Sequence, residues 1–313
     1  MKNAAWRVWW YNNKNMSHEK ISKSKTVSFD DRIVDFKAIH NQKPEDFERF
    51  IDIIDAQPGQ VILDGMDGYG AAAKEIIQNA GKKGFSPEIY TLDESTTQVE
   101  NARKNIPNIQ PDHIIQSDIR NTPFSSEMFD TVVIKMGLHE IPKLDQVVAI
   151  KEVYRILKNG GKFVTWDLSF HDSETQKVFQ DLIRKKDQIA GFDSLVENRY
   201  FSRQEELISA LNVAGFKNVL IAHEVDARLS MRVRESELVS KDRKALMDKN
   251  GVITTEEENM LAELGKRRCG ELISFAKEYM ASISDEVKKR MQYEETEDDI
   301  KIVPNKEILV GYK

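Results

Sequence analysis

The chain reads as an α/β protein built on a mostly parallel sheet with helices on both faces. Three observations predict this. Short apolar runs alternate with amphipathic stretches from Val61 to Val225, the signature of successive strand and helix units. A glycine-rich turn, Val61-Ile-Leu-Asp-Gly-Met-Asp-Gly-Tyr-Gly70, joins the first run to the helix-prone Ala71-Ala-Ala-Lys-Glu-Ile-Ile77. The next run, Glu88-Ile-Tyr-Thr-Leu-Asp-Glu-Ser95, ends in a carboxylate, Asp93, about 20 residues beyond that turn, where the ribose hydroxyls of an adenosine ligand can be chelated.

Taken in order, residues 1–26 are polar and basic around an aromatic knot, Trp6, Trp9, Trp10 and Tyr11. They read as a terminal arm, mobile or docked through its rings. Helices are predicted at 31–40 and 44–56, the second with Phe47, Phe50, Ile51 and Ile54 at helical spacing, and Pro58-Gly59 breaks the chain before the first strand. Strands follow near 61–64, 88–92, 113–116, 130–135, 161–167 and 218–225, with helices near 69–80, 96–105, 145–157, 173–189 and 203–214. Residues 226–299 form a charged, helical interval in which Leu261, Leu264, Leu272, Ile273, Phe275, Ala276 and Met280 mark one apolar stripe. Its acidic end, Glu294 to Asp299, reads as solvated. Residues 300–313, with Ile308-Leu-Val310, close the chain as a last strand.

Composition narrows the function classes. At 313 residues the chain can bury a large core without staples. Its one cysteine, Cys269, excludes an intramolecular disulfide and a Cys-x-x-Cys metal set, so no metal is expected and a reducing, cytoplasmic setting fits. No run reaches the ~20 apolar residues of a membrane span, and a soluble protein is expected. A net charge of −6 argues against a broad nucleic-acid footprint.

The glycine turn is a weak signal alone, because such turns also serve packing and occur at NAD, FAD and nucleotide sites. Glycine permits positive φ and close ligand approach, and the helix start behind it offers free N–H groups to an anion. Further pieces make the pattern specific. Ile115-Gln-Ser-Asp-Ile-Arg-Asn-Thr-Pro-Phe124, Phe129-Asp-Thr-Val-Val-Ile-Lys-Met-Gly-Leu-His-Glu-Ile-Pro142 and Glu152-Val-Tyr-Arg-Ile-Leu-Lys-Asn-Gly-Gly-Lys-Phe-Val164 follow in order. Together with the first two motifs they resemble the class I S-adenosylmethionine-dependent methyltransferases, in the small-molecule branch that includes the ubiquinone and menaquinone biosynthesis enzymes.

That resemblance spans about Gln60 to Val225. It implies a Rossmann-like seven-stranded sheet with the helical insertion between the last two strands. The implied layout is an arm and cofactor-covering helix at 1–44, a cofactor-binding core at 45–225, an insertion at 226–299 and the closing antiparallel strand at 300–313. The implied cofactor is S-adenosylmethionine. Asp64, Gly65, Met66, Gly68 and Gly70 would face its methionine part, Asp93 with Glu94 the ribose, Asp118 and Ile119 the adenine, and the backbone at Lys135 and Met136 the amino group. One departure stands out: Met66 occupies a position where the family carries glycine, which narrows the pocket unless the side chain turns outward.

Methyl transfer from a sulfonium is an in-line displacement that depends chiefly on placing the nucleophile. A hydroxyl or acidic carbon also needs a base. His139 is the candidate, ahead of His171 and His223, with loop ordering as its structural alternative. Glu140 and Asp167 are candidate substrate-side carboxylates, and each could equally be a loop acid or a cap. Arg228 and Arg232, with Arg234, open the insertion and could clamp an anion, although pairing with nearby acids explains them as well. If the family topology holds, the insertion starts above the substrate and is placed for a lid, a selective wall or a homodimer contact.

The expected function is methylation of a small-molecule O, N or C nucleophile, with specialised metabolism favoured by the insertion. Two alternatives remain at this stage: a catalytically degenerate binding protein with this fold, motivated by Met66, and an RNA or protein methyltransferase. A nicotinamide dehydrogenase fits poorly, since the Tyr-x-x-x-Lys pair is missing from the expected region.

Overall fold

The structure, a computed structural model, describes Asp30 and residues 43–226 and 228–313. The aromatic arm and the helix expected at 31–40 lie outside these residues.

Helix α1 (Pro44–Ile54) starts with proline at N1 and Glu45 and Asp46 in its first turn, a favourable arrangement for a helix N-terminus. Then come β1 (Val61–Gly65), α2 (Ala71–Lys82), β2 (Glu88–Asp93), α3 (Thr96–Asn105), β3 (Ile114–Gln116), β4 (Phe129–Lys135), α4 (Lys143–Ile156) and β5 (Leu157–Leu168). After these follow α5 (Ser173–Ile189), a short α6 (Asp193–Asn198), α7 (Gln204–Ala214) and β6 (Lys217–Asp226). The insertion comprises β7 (Leu229–Ser230), α8 (Glu235–Leu238), α9 (Ser240–Asn250), α10 (Thr255–Ala281), α11 (Asp285–Arg290), β8 (Glu294–Glu295) and β9 (Ile300–Ile302), before β10 (Asn305–Tyr312) closes the sheet.

The large sheet runs β3-β2-β1-β4-β5-β10-β6. Strands β1 to β5 pair in parallel, and β10 is antiparallel to both β5 and β6. The order reverses between β1 and β4, so a crevice opens at the carboxyl ends of those strands. Alternation along the strands feeds two cores. Ile62, Val133, Trp166 and Ile308 pack under α1 to α3, whereas Leu63, Val132, Phe163 and Leu309 pack under α4 and α7, as a period of two requires.

A third core sits above the carboxyl edge. Val178, Phe179, Leu182 and Ile183 of α5 meet Leu272, Ile273, Ala276 and Met280 of α10. Thus the apolar stripe of the insertion is covered by its own chain. Helix α10 is started by a reciprocal cap, in which Thr254 Oγ1 accepts from Glu257 N–H and Glu257 accepts from Thr254 N–H.

Three details differ from the sequence reading. Strand β5 begins at Leu157, because the chain bulges around Asn159-Gly-Gly161 before rejoining the register with β4 at Lys162. The insertion is not wholly helical: β7, β9 and β8 form a small antiparallel sheet. The acidic run is consequently not all solvated. Asp299 is buried and accepts from Ser230 Oγ at 2.7 Å and Arg232 N–H at 3.1 Å. Among the described residues no helix is long and apolar enough to cross a membrane.

Candidate active site

The carboxyl ends of β1, β2 and β4 open into one cavity, roofed by α5, α6 and the start of the insertion. Its floor is a cluster of carboxylates. Asp64 is buried at the end of β1, and its Oδ2 accepts the Ala73 N–H of α2 at 2.8 Å. Asp93 ties the second strand to the glycine turn, accepting from Gly68 N–H at 3.0 Å and Ser95 N–H at 2.9 Å. Each of its oxygens keeps a further lone pair free of those bonds. Asp67, between them, lines the same wall.

Burial dominates these acids. It pushes Asp64 up to about 7, against the Ala73 hydrogen bond and the charge of Lys135, and with help from Asp93. It pushes Asp93 up to about 6 despite two backbone N–H donors. Asp67 is raised well above the carboxylate range by burial and then by the charges of Asp64 and Asp93. Asp64 Oδ1 and Asp67 Oδ2 are buried without a hydrogen-bond partner among the described residues. Orphaned carboxylate oxygens at a cavity wall suit a ligand that brings positive charge or hydroxyl donors.

Beside this floor, Ser117 N–H donates to Asp93 O at 3.0 Å and brings the loop after β3 against β2. Asp118 is gripped by Arg120, whose Nε lies 2.9 Å from both of its oxygens and whose Nη1 bonds Asp145 at 2.5 Å. Ile119 is buried and lines the cavity next to Asp118.

At the tip of β4, the Lys135 ammonium lies 5.3 Å from the Phe47 ring centroid and 5.2 Å from that of Trp166. Burial lowers its pKa to about 8, with Asp64 and Asp167 opposing. The chain then turns through Met136, at φ 54°, into a short 3₁₀ turn carrying His139. His139 is buried, stacks on Phe201 with ring centroids 5.2 Å apart, and sets Nδ1 2.5 Å from Asp167 Oδ1. Burial works against its charged form, yet Asp167 and Glu140 outweigh it and hold the pKa up at about 9. At neutral pH His139 is therefore an imidazolium.

Comparison with known proteins fits this arrangement. A family profile described as "Methyltransferase domain" matches residues 67–165. Over 175 residues the chain is 30% identical to the ubiquinone/menaquinone biosynthesis C-methyltransferase UbiE of Blochmanniella floridana, covering 51% of this chain and 67% of that one. The chain belongs to the class I methyltransferase family. The corresponding UbiE of Bartonella bacilliformis is 28% identical over 173 residues, and the chain spans 65% of its length. Among solved structures, the YcgJ protein of Bacillus subtilis shares the fold at a TM-score of 0.60 and 14% identity, covering 87% of this chain and 99% of that one.

Within this methyltransferase fold, Asp64, Met66, Gly68, Asp93, Glu94, Asp118, Ile119, Lys135, Met136, His139 and Glu140 line the cavity together. Other expected residues are elsewhere. Gly65 and Gly70 do not border the cavity and serve packing. Gly65 lies under Ile119, and a Cβ on Gly70, at φ 81°, would stand 2.2 Å from Ile106 Cδ1. Asp167 lies behind His139 as its partner and not on the wall. Glu140 is engaged by Arg199, with Nη2 2.7 Å and 2.9 Å from its two oxygens.

Arg228 and Arg232 are corrected. They are half-exposed, Arg228 pairing with Glu294 at 2.5 Å and Arg232 with Asp298, because the small sheet carries them outward. Arg234 alone of the three reaches the cavity. His171 bonds buried Glu307 at 3.0 Å and His223 bonds Asp46 at 3.1 Å, and neither lines the cavity.

Lys186, Arg199, Glu237 and Lys306 were missed as site residues. Buried Lys186 pairs with Glu237 and, at 2.8 Å, with Asp187, which Arg199 also holds at 3.0 Å. A signal existed: Lys186 continues the apolar stripe of Leu182 and Ile183, and Lys306 alternates with Ile308 and Val310. A cation on an apolar stripe needs a partner or a purpose.

Proposed function

We propose that this protein is an S-adenosylmethionine-dependent methyltransferase acting on a small-molecule nucleophile. The carrying observation is the meeting of Asp64, Asp67 and Asp93, two with orphaned oxygens, with His139 at one cavity in a chain of this family. Asp93 and Glu94 would hold the ribose hydroxyls, Asp118 and Ile119 the adenine, and Asp64 with the Met66–Gly68 turn the charged methionine end. When bound, the cofactor supplies a methyl group already activated by its sulfonium. The chain's own task is to orient the acceptor, exclude water and manage one proton.

His139 is the proposed proton-handling group. With its pKa near 9, the resting imidazolium is a hydrogen-bond donor, and it becomes a proton acceptor at alkaline pH or where a neighbouring cation pushes its pKa down. Relatives named ubiquinone/menaquinone biosynthesis C-methyltransferase support a small acceptor with a carbon nucleophile.

Calorimetry with S-adenosylhomocysteine tests the reading. The full chain should bind one equivalent, and Asp93→Ala should weaken binding by about 1.5–3 kcal/mol, the worth of hydrogen bonds to a charged group. Absence of heat with both S-adenosylmethionine and S-adenosylhomocysteine would leave only a non-catalytic protein of this fold.

A further inference from the structure

Most cations around the cavity have a carboxylate counterpart. His139 faces Asp167, Arg199 faces Glu140 and Asp187, and Lys186 faces Glu237 and Asp187. Two do not. Lys135 and Lys306 both line the cavity, and neither ammonium has a hydrogen bond or ion pair among the described residues; Lys306 is only 6% exposed. Their positions are set by the sheet: Lys135 sits opposite Trp166 of β5 and Lys306 opposite Leu168, two residues apart on one strand. Both side chains consequently start from the same face, flanking β5 at its carboxyl edge.

Arg234 adds a third cation to this corner. Its Nη1 donates to Glu237 at 2.8 Å, while its Nε is buried with no partner. Arg234 and Lys135 are both close enough to Lys306 to disfavour its charge. Burial and then the charges of Arg234 and Lys135 lower the Lys306 pKa to about 8, and Asp46 and Asp167 only partly offset them. Holding unpaired ammonium groups out of water is costly unless something arrives to neutralise them. The cavity is polarised as a result, with carboxylates at the tips of β1 and β2 and excess positive charge at the end of β4 and the start of β10, on either side of β5.

We propose that Lys306, Lys135 and Arg234 bind a compact anionic group, a carboxylate or a phosphate, carried by the methyl acceptor. Arg234 can present its free Nε–H to one oxygen while the ammoniums take the others, a donor set made for a multi-oxygen anion. The identification of that anion as part of the acceptor rests on the methyltransferase reading; the anion site itself does not.

Full-length protein would be titrated calorimetrically with inorganic phosphate and, separately, with benzoate, at constant ionic strength in chloride. Saturable binding of either is expected, about tenfold weaker or worse in Lys306→Met and largely restored in Lys306→Arg. Tighter phosphate binding would identify a phosphorylated acceptor and tighter benzoate binding a carboxylated one. Lys306→Met should also raise the melting temperature of the ligand-free protein, since it removes an unpaired buried charge, so weakened binding cannot be ascribed to misfolding. Lys135→Met gives an independent second variant with the same expected loss. No saturable binding of either anion to the wild type, or unchanged binding in both methionine variants, would overturn the site. S-adenosylhomocysteine titrated into the same samples separates the two readings: anion binding without it removes the acceptor assignment, and its binding without anion binding removes the anion site alone.

Discussion

Met66 holds a left-handed backbone, φ 55°, at the close-approach point after β1. A Cβ on the facing Gly137 would lie 2.8 Å from Met66 Cβ, so the methionine has space only because its neighbour is glycine. The left-handed conformation costs a non-glycine residue about 1–2 kcal/mol, and replacement by glycine costs about 0.5–1 kcal/mol in unfolded-chain entropy. These nearly cancel. Met66→Gly should therefore leave stability within about 1 kcal/mol of the wild type in urea melts, while S-adenosylhomocysteine binds more tightly through the opened wall. Weaker binding in a normally stable variant would mean that Met66 is itself a contact.

His139 makes a second residue-scale prediction. Its raised pKa depends on the Asp167 and Glu140 carboxylates winning against burial. A group held above its ordinary pKa adds stability that is fully present below about 6.5 and lost as the pH rises through about 9. In Asp167→Asn the balance should tip to burial, and the imidazole should titrate below 7 by NMR instead of near 9. An unchanged midpoint would show that the Asp167 contact does not set the charge.

At the scale of elements, Arg199 is the tie between the turn after β4 and helix α5. It follows α6 and is buried between Glu140 and Asp187, with bonds of 2.7 and 3.0 Å to those carboxylates. Removing the guanidinium leaves Asp187 to Lys186 and Glu140 to His139, so Arg199→Met should destabilise the protein by up to about 3–5 kcal/mol, the range for broken buried pairs. Chemical denaturation measures this directly. A loss below 1 kcal/mol would indicate that water replaces the arginine. Helices α5 and α10 share the third core, and Leu272, fully buried there, should cost about 2–5 kcal/mol on truncation to alanine.

Across the whole molecule, the carboxylate floor links stability to pH. Asp64 and Asp93 ionise near 7 and 6 in the folded chain and near 3.9 when unfolded. The folded state thus holds their protons more tightly, and the stability they contribute at low pH drains away as the pH climbs from about 4 to 7. Acids with lowered values, such as Glu206 at about 2, act in the other direction and only below about 4.5. Ligand-free protein should lose stability between pH 5 and 7, and Asp64→Asn should flatten that slope. A cationic ligand favours the ionised acids, so binding S-adenosylmethionine should release protons, seen as a buffer-dependent heat. Equal heats in buffers of different ionisation enthalpy would contradict the cluster's role.

What could be read from the chain alone was local. Apolar periodicity marked the strands of the large sheet, and the spacing from the glycine turn to Asp93 marked the ligand edge, because both are set by neighbours a few residues apart. The end of the fourth predicted strand also located His139 on that edge, and the family resemblance located Asp118 there. Tertiary structure decided what lies across from them. It turned Asp167 into the partner of His139, set Arg228 and Arg232 outward on either side of β7, and brought Lys306 across β5 from Lys135, 171 positions earlier in the chain. It also buried the stripe of α10 against α5. Charge state and burial depend on which distant segments share a wall, and no local pattern encodes that meeting.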